Sequence, residues 1–108
     1  MSFVTTHVLN GSTGVPAAGV PVTMTDADHV VVAQGVTNDD GRVPDFGPDA
    51  LPSGIYHVTF GTGEYFAAHQ VATFYPSVTI TVAIDQTAAH YHVPLLLSPF
   101  AYSTYRGS

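Results

Sequence analysis

Three histidines, His7, His90 and His92, and one arginine, Arg42, are the side chains of this 108-residue sequence whose type and spacing could carry out chemistry. Imidazole is the one side chain whose unperturbed pKa suits proton transfer near neutrality. By the two-residue period of an extended chain, His7 shares a face of Thr5-Thr6-His7-Val8-Leu9 with Thr5 and Leu9. His90 and His92 flank Tyr91 and share a face in the same way. A His-x-His pair on a strand can form half of a metal site, because imidazoles two apart converge on one ion. No carboxylate or cysteine accompanies this pair, so metal binding is the weaker reading and no metal is expected. The other three histidines read as structural. His29 opens a strand beside Asp26 and Asp28, His57 alternates with Tyr56 and Val58, and His69 falls on the one short helical stretch.

Arg42 and Arg106 are the only cationic side chains, and there is no lysine. Arg42 follows an Asp40-Gly41 turn and projects from the end of a strand. An exposed ion pair with Asp39 or Asp40 would be worth little. A guanidinium in a chain so poor in cations is instead a natural anchor for an anionic or carbonyl-rich ligand, through its planar donor fork. Arg106 lies in the closing Tyr105-Arg106-Gly107-Ser108, behind a run with three aromatics in the last nine residues, Phe100, Tyr102 and Tyr105. Such a terminus reads as built into a site. Gly-x-Ser-x-Gly, cysteine and a phosphate-cradling glycine loop are all absent. The chemistry left is histidine-assisted attack of water on a polarised carbonyl.

The elements that must position these groups are short strands. Phe3 to Leu9 reads as a strand closed by the turn Asn10-Gly11-Ser12-Thr13-Gly14, followed by strands over Val20 to Thr25 and Val30 to Val36. Val43 to Ser53 is rich in Pro, Gly and Asp and reads as a loop. Ile55 to Phe60 alternates cleanly, and Glu64 to Gln70 is the one plausible helix, with Thr62 as a possible cap. Ser77 to Ile84, Ala89 to Leu97 and Tyr102 to Arg106 complete seven or eight strands at regular spacing, the pattern of an all-β two-sheet sandwich. No repeat or internal boundary is visible, so residues 1–108 read as one domain.

Composition narrows the function. Net charge is −6 with histidines neutral, which argues against nucleic acid and against a polybasic membrane contact. Hydrophobic residues make up 45% and charged ones 9%, against roughly a quarter charged in typical domains. So few charges imply that part of the surface is covered by another subunit. Met1 to Thr6 carries neither a basic start nor a long apolar run, so a cytoplasmic protein without a signal peptide is expected.

Thr6-His7-Val8-Leu9, Thr37-Asn38-Asp39-Asp40-Gly41-Arg42 and His90-Tyr91-His92-Val93-Pro94-Leu95-Leu96-Leu97-Ser98-Pro99, with Tyr102 to Ser108, together resemble the 5-hydroxyisourate hydrolases, the transthyretin-like proteins of urate breakdown. Gly54-Ile55-Tyr56, Thr62 to Phe66 and Phe74-Tyr75-Pro76 fit the same pattern, so the likeness covers nearly the whole chain. Two departures stand out: Asn10 occurs where many relatives have Asp, and lysine is missing. The resemblance implies an eight-stranded prealbumin-like sandwich with one short helix, assembled as a homotetramer (a dimer of dimers) with sites in a channel where dimers meet. It implies hydrolysis of a ring amide of the small-molecule substrate 5-hydroxyisourate without a cofactor. The family's catalytic residues fall on His7, Arg42 and His92, with His7, Arg42, Tyr105 and Ser108 binding substrate. A transthyretin-type carrier, holding a hydrophobic ligand in the channel, is the competing reading. His7, Arg42, His92 and the tyrosine-arginine terminus argue against a largely apolar channel.

Overall fold

Alternation in the sequence becomes burial in the structure, a computed structural model that describes residues 2–108. In β1 (Val4–Asn10), Val4, Thr6, Val8 and Asn10 are buried, while Thr5, His7 and Leu9 lie on the more open face. The remaining elements are β2 (Val15–Pro16), β3 (Pro21–Thr25), β4 (Val31–Val36), β5 (Gly54–Phe60), α1 (Thr62–Ala68), β6 (Val78–Ile84), β7 (Tyr91–Ser98) and β8 (Ala101–Thr104).

These strands form two four-stranded sheets, ordered β2-β1-β7-β8 and β4-β3-β5-β6. All pairs are antiparallel except β1 with β7, which run parallel with Thr5 opposite His92 and His7 opposite Pro94. A parallel pair needs a long crossover, and here the whole second sheet supplies it. The first and seventh strands thus become neighbours, although more than eighty residues separate Thr5 from His92 in sequence. Thr6 locks this register from inside: its buried hydroxyl donates to the Val93 carbonyl at 2.7 Å.

Between the sheets lie Val8, Val22, Met24, Val58, Phe60, Leu95 and Leu97, with Phe46 closing the core from the loop after β4. Each such fully buried side chain contributes about 1.5–3 kcal/mol. Phe46 matters most for the site, because burying it pins the loop over residues 37–53 and therefore Arg42 at its start. Gly41 allows the approach. It sits at φ +76°, its carbonyl accepts from the Val8 amide at 2.7 Å, and a Cβ there would collide with the Val8 carbonyl oxygen.

The all-β sandwich with one short helix agrees with the sequence reading, with four local corrections. β2 is two residues long, too short for any periodicity to reveal. The helix spans Thr62–Ala68 rather than Glu64 to Gln70, and Thr62 does not cap it. Thr62 is fully buried within α1, so its hydroxyl must find a local acceptor, and it donates to the Tyr75 carbonyl at 2.9 Å. β7 begins at Tyr91, leaving His90 just ahead of it, and β8 ends at Thr104, leaving Tyr105 and Arg106 beyond the strand. Asn10 also acquires a purpose. Its amide nitrogen donates to Tyr65 Oη at 3.0 Å, while its oxygen accepts from the Ser12 and Thr13 amides. An ionised aspartate could make the second set of bonds but not donate the first.

Candidate active site

β1 is the axis of the site. On one side Arg42 pairs with it in a single antiparallel bridge opposite His7, and on the other β7 places His92 opposite Thr5. Residues directly opposite one another project from the same face, so Arg42, His7, Thr5 and His92 are presented by one face of the first sheet. Beyond β7 the carboxy-terminal segment adds a further rung, with the Gly107 amide donating to the His92 carbonyl at 2.9 Å. A methyl group on Gly107 would collide with Cδ2 of the His92 ring. Glycine is required here because the tail runs against the imidazole itself.

Arg106 explains how the tail is held. Its guanidinium lies 4.5 Å from the centre of the Tyr91 ring, a cation–π contact. Tyr91 is itself fixed by Phe3, with ring centres 5.6 Å apart in an edge arrangement, and by the Asp85 amide, which donates to its hydroxyl at 2.9 Å.

The Arg42 turn is preorganised by Asn38. Its side-chain oxygen accepts from the Asp40 amide at 2.9 Å and the Arg42 amide at 3.1 Å, and the Asn38 amide donates to the Arg42 carbonyl at 2.7 Å. With the backbone fixed at both ends, the exposed guanidinium is free to meet a ligand. It opens onto a depression of about 340 Å³ lined also by Thr5, Asn38, Asp45 and His90.

The structure gathers most, but not all, of the residues singled out from sequence. Arg42, His7 and His92 share the sheet face. Tyr105 and Arg106 line a second, more apolar hollow of about 350 Å³ with His92, Tyr91, Ile80 and Val82. Within one chain Tyr105 and Arg42 therefore face different concavities, and His92 lines the one with Tyr105. Ser108 is exposed, one residue beyond the Gly107 rung. His29, His57 and His69 lie elsewhere: His29 stacks on His57 at 5.5 Å between centroids, and His69 packs on Tyr65 at the end of α1. Among the described residues no group of three or more His, Cys, Asp or Glu side chains is placed to hold a metal ion. Sequence reasoning missed Thr5, Asn38 and the steric role of Gly107. Only the phase of Thr5 with His7 could have signalled the first.

His92 is held below the ordinary histidine range. Burial is the main cause, followed by the positive charge of Arg42 and by His7 and His90, while a hydrogen bond to the Thr5 backbone opposes the shift. The neutral form, the one able to accept a proton, is thus favoured at lower pH than in a free histidine. Folded His92 binds its proton more weakly than the unfolded chain does. Its contribution to stability is present above the ordinary histidine pKa and is lost as pH falls through the lowered folded value. An NMR titration of the ring is expected to show a midpoint below the usual 6.5. His90→Gln should move that midpoint upward by removing a neighbouring imidazole that disfavours the protonated ring. An unmoved midpoint would take His90 out of the electrostatics of the site.

Comparison with known proteins returns the same picture. The family described as the HIUase/Transthyretin family matches residues 4–107. A "Probable 5-hydroxyisourate hydrolase" from Schizosaccharomyces pombe is 43% identical over 112 residues, covering 96% of this chain and 90% of that protein. The solved 5-hydroxyisourate hydrolase of Klebsiella pneumoniae superposes with a TM-score of 0.89 at 40% identity, covering 100% of this chain and 94% of the other. The transthyretin of Sparus aurata superposes with a TM-score of 0.92, but at 26% identity, over 99% and 97% of the two chains.

Proposed function

The chain belongs to the HIUase/Transthyretin family, and we infer that within it this protein is a 5-hydroxyisourate hydrolase. The enzyme opens a ring amide of 5-hydroxyisourate to give 2-oxo-4-hydroxy-4-carboxy-5-ureidoimidazoline, a step in the degradation of urate to allantoin. The backbone superposes as well on a transthyretin as on a hydrolase, so the fold alone does not separate enzyme from carrier. One observation carries the hydrolase reading: Arg42, His7 and His92 are brought to one sheet face from three separate segments, with the tail paired against His92. An apolar carrier channel has no use for two imidazoles and a guanidinium on that face.

In the mechanism we propose, neutral His92 accepts a proton from water as the water oxygen bonds to the ring carbonyl carbon. Arg42 holds the substrate's carbonyl oxygens and stabilises the oxyanion that forms. The C–N bond then breaks, and His7 delivers a proton to the departing ring nitrogen. One water is consumed: its hydroxyl ends on carbon and a proton on nitrogen. The proposed chemistry calls on no metal or cofactor. Tyr105 and Ser108 complete the substrate pocket.

The proposed assembly is a homotetramer of a single 108-residue domain, acting in the cytoplasm. Its support is physical. β6 and β8 leave unpaired edges at the ends of their sheets, and all of β8 is exposed. Free edges invite pairing with another copy. Phe74 and Phe100 also expose 73% and 69% of their surface. No helix is long and apolar enough to cross a membrane among the described residues.

Assaying the purified chain with freshly generated 5-hydroxyisourate tests the function directly. Ring opening no faster than the uncatalysed rate would remove the hydrolase reading. Arg42→Lys is expected to leave kcat/KM depressed by about 10-fold or more, because an ammonium keeps the charge but not the planar fork. Recovery of most of the parent kcat/KM in that variant would mean that charge suffices and that the oxyanion role is wrong.

A further inference from the structure

Resting on the hydrolase reading, the geometry points to a further pair of positioning residues: Thr5 and His90 form a hydroxyl–imidazole relay that fixes which ring nitrogen of His92 carries the proton. Thr5 Oγ1 lies 2.8 Å from His92 Nδ1 and 3.0 Å from His90 Nε2. One hydroxyl therefore bridges two imidazoles.

A hydroxyl has one proton to donate and two lone pairs to accept with, so three arrangements satisfy both contacts. In the first, Thr5 donates to His92 Nδ1 and accepts from His90. His92 must then carry its proton on Nε2, and the nitrogen pointing away from Thr5 has no lone pair for a water molecule. In the second, His92 donates from Nδ1 to Thr5, and Thr5 donates to His90 Nε2. His92 Nε2 is then bare and can act as a base. In the third, Thr5 accepts from both rings, which also leaves Nε2 bare but sends the Thr5 proton to neither. The relay is the second arrangement, in which His90 accepts that proton, and replacing His90 separates it from the third.

The surroundings suit the same assignment. Arg42 and His7 act on His92 from the β1 side, His90 acts from two residues earlier in the chain, and Arg106 shares the hollow beside the ring. None of these is an anion. Among the described residues no carboxylate hydrogen-bonds His92 Nδ1 in the way a buried aspartate orients many catalytic histidines. A neutral hydroxyl backed by a second imidazole fills that role. Thr5 is half-buried and His90 is exposed, so the relay runs from the site to solvent.

The test compares the parent chain with Thr5→Val, Thr5→Ser and His90→Phe. Tautomers are read from long-range nitrogen–carbon-bound proton NMR correlations of the His92 ring, and kcat and KM are measured with 5-hydroxyisourate. In the parent, His92 is expected to carry its proton on Nδ1. Thr5→Val keeps the branched shape but loses the hydroxyl. It should shift the ring toward the Nε2–H form and lower kcat by at least about 10-fold with little change in KM, a milder version of the loss seen when a buried carboxylate orienting a catalytic histidine is removed. Thr5→Ser should restore both readouts. His90→Phe should shift the tautomer in the same direction as Thr5→Val, though residue 5 is untouched. A parent His92 protonated on Nε2, or a Thr5→Val variant with the parent kcat, would overturn the relay. If the parent chain failed to open 5-hydroxyisourate, the functional reading would fall while the tautomer measurement still decided the relay.

Discussion

Alanine in place of His92 or of His7 is expected to slow ring opening by about 100-fold or more, the usual worth of a positioned acid or base. Both side chains sit on the more open face of the first sheet, outside the core that holds the two sheets together. Their removal should therefore leave the circular dichroism spectrum and the size of the assembly unchanged. The two losses should not add. If base and acid act on one water and one leaving nitrogen, removing the second after the first costs little more, and the double variant should resemble the slower single one. The pH profiles then separate the roles. With His92 as base, kcat/KM in the parent should fall on the acid side with a midpoint below the ordinary histidine range, in line with its lowered pKa. That limb should disappear in His92→Ala but survive in His7→Ala. An acid limb that survives loss of His92 and vanishes with His7 would exchange the two assignments. Near-parental turnover in either variant would remove that histidine from the mechanism.

How much of this was legible in the residues depends on the distance over which each feature acts. Strand faces were legible because burial alternates with the backbone pleat: Val78, Ile80, Val82 and Ile84 announce β6 by themselves. Neighbour relations were not. Nothing in the alternation of Phe3 to Leu9 or of Ala89 to Leu97 says that the two strands lie side by side and parallel, because that pairing is set by how the intervening sheet returns the chain. The site divides along the same line. His7, Arg42 and His92 stand out by side-chain type, and their resemblance to a hydrolase gave them roles. Thr5 did not stand out. Threonine is a common strand residue, and its hydroxyl gains meaning only when β7 brings two imidazoles to it. Thr62 misled for a related reason. Its position suggested a cap, but complete burial directs its hydroxyl to the nearest free carbonyl, that of Tyr75.

The carboxy terminus carries the second large effect. Deleting Tyr105 to Ser108 is expected to abolish turnover, with kcat/KM down by about 100-fold or more, because the segment borders His92 and supplies two of the proposed substrate contacts. The core should not notice: residues 105, 106 and 108 are exposed, and the described contacts of the segment are the Gly107 amide bond to the His92 carbonyl and the Arg106 stack on Tyr91. A secondary structure and assembly size close to those of the parent would show that the loss belongs to the site. Gly107→Ala is the sharper version of the experiment. It adds one methyl group and removes nothing, yet that methyl falls on the His92 ring. Either the tail lifts away or the imidazole turns, and a displacement on the order of 1 Å at a reacting group can cost about 100-fold. The same variant in a His92→Ala background should cost far less, since the colliding ring is gone. If deletion of the tail left turnover intact, Tyr105 and Ser108 would lose their place in the pocket. If Gly107→Ala were equally slow with and without the His92 ring, the tail would act on substrate directly, and its packing against the imidazole would be incidental to the chemistry.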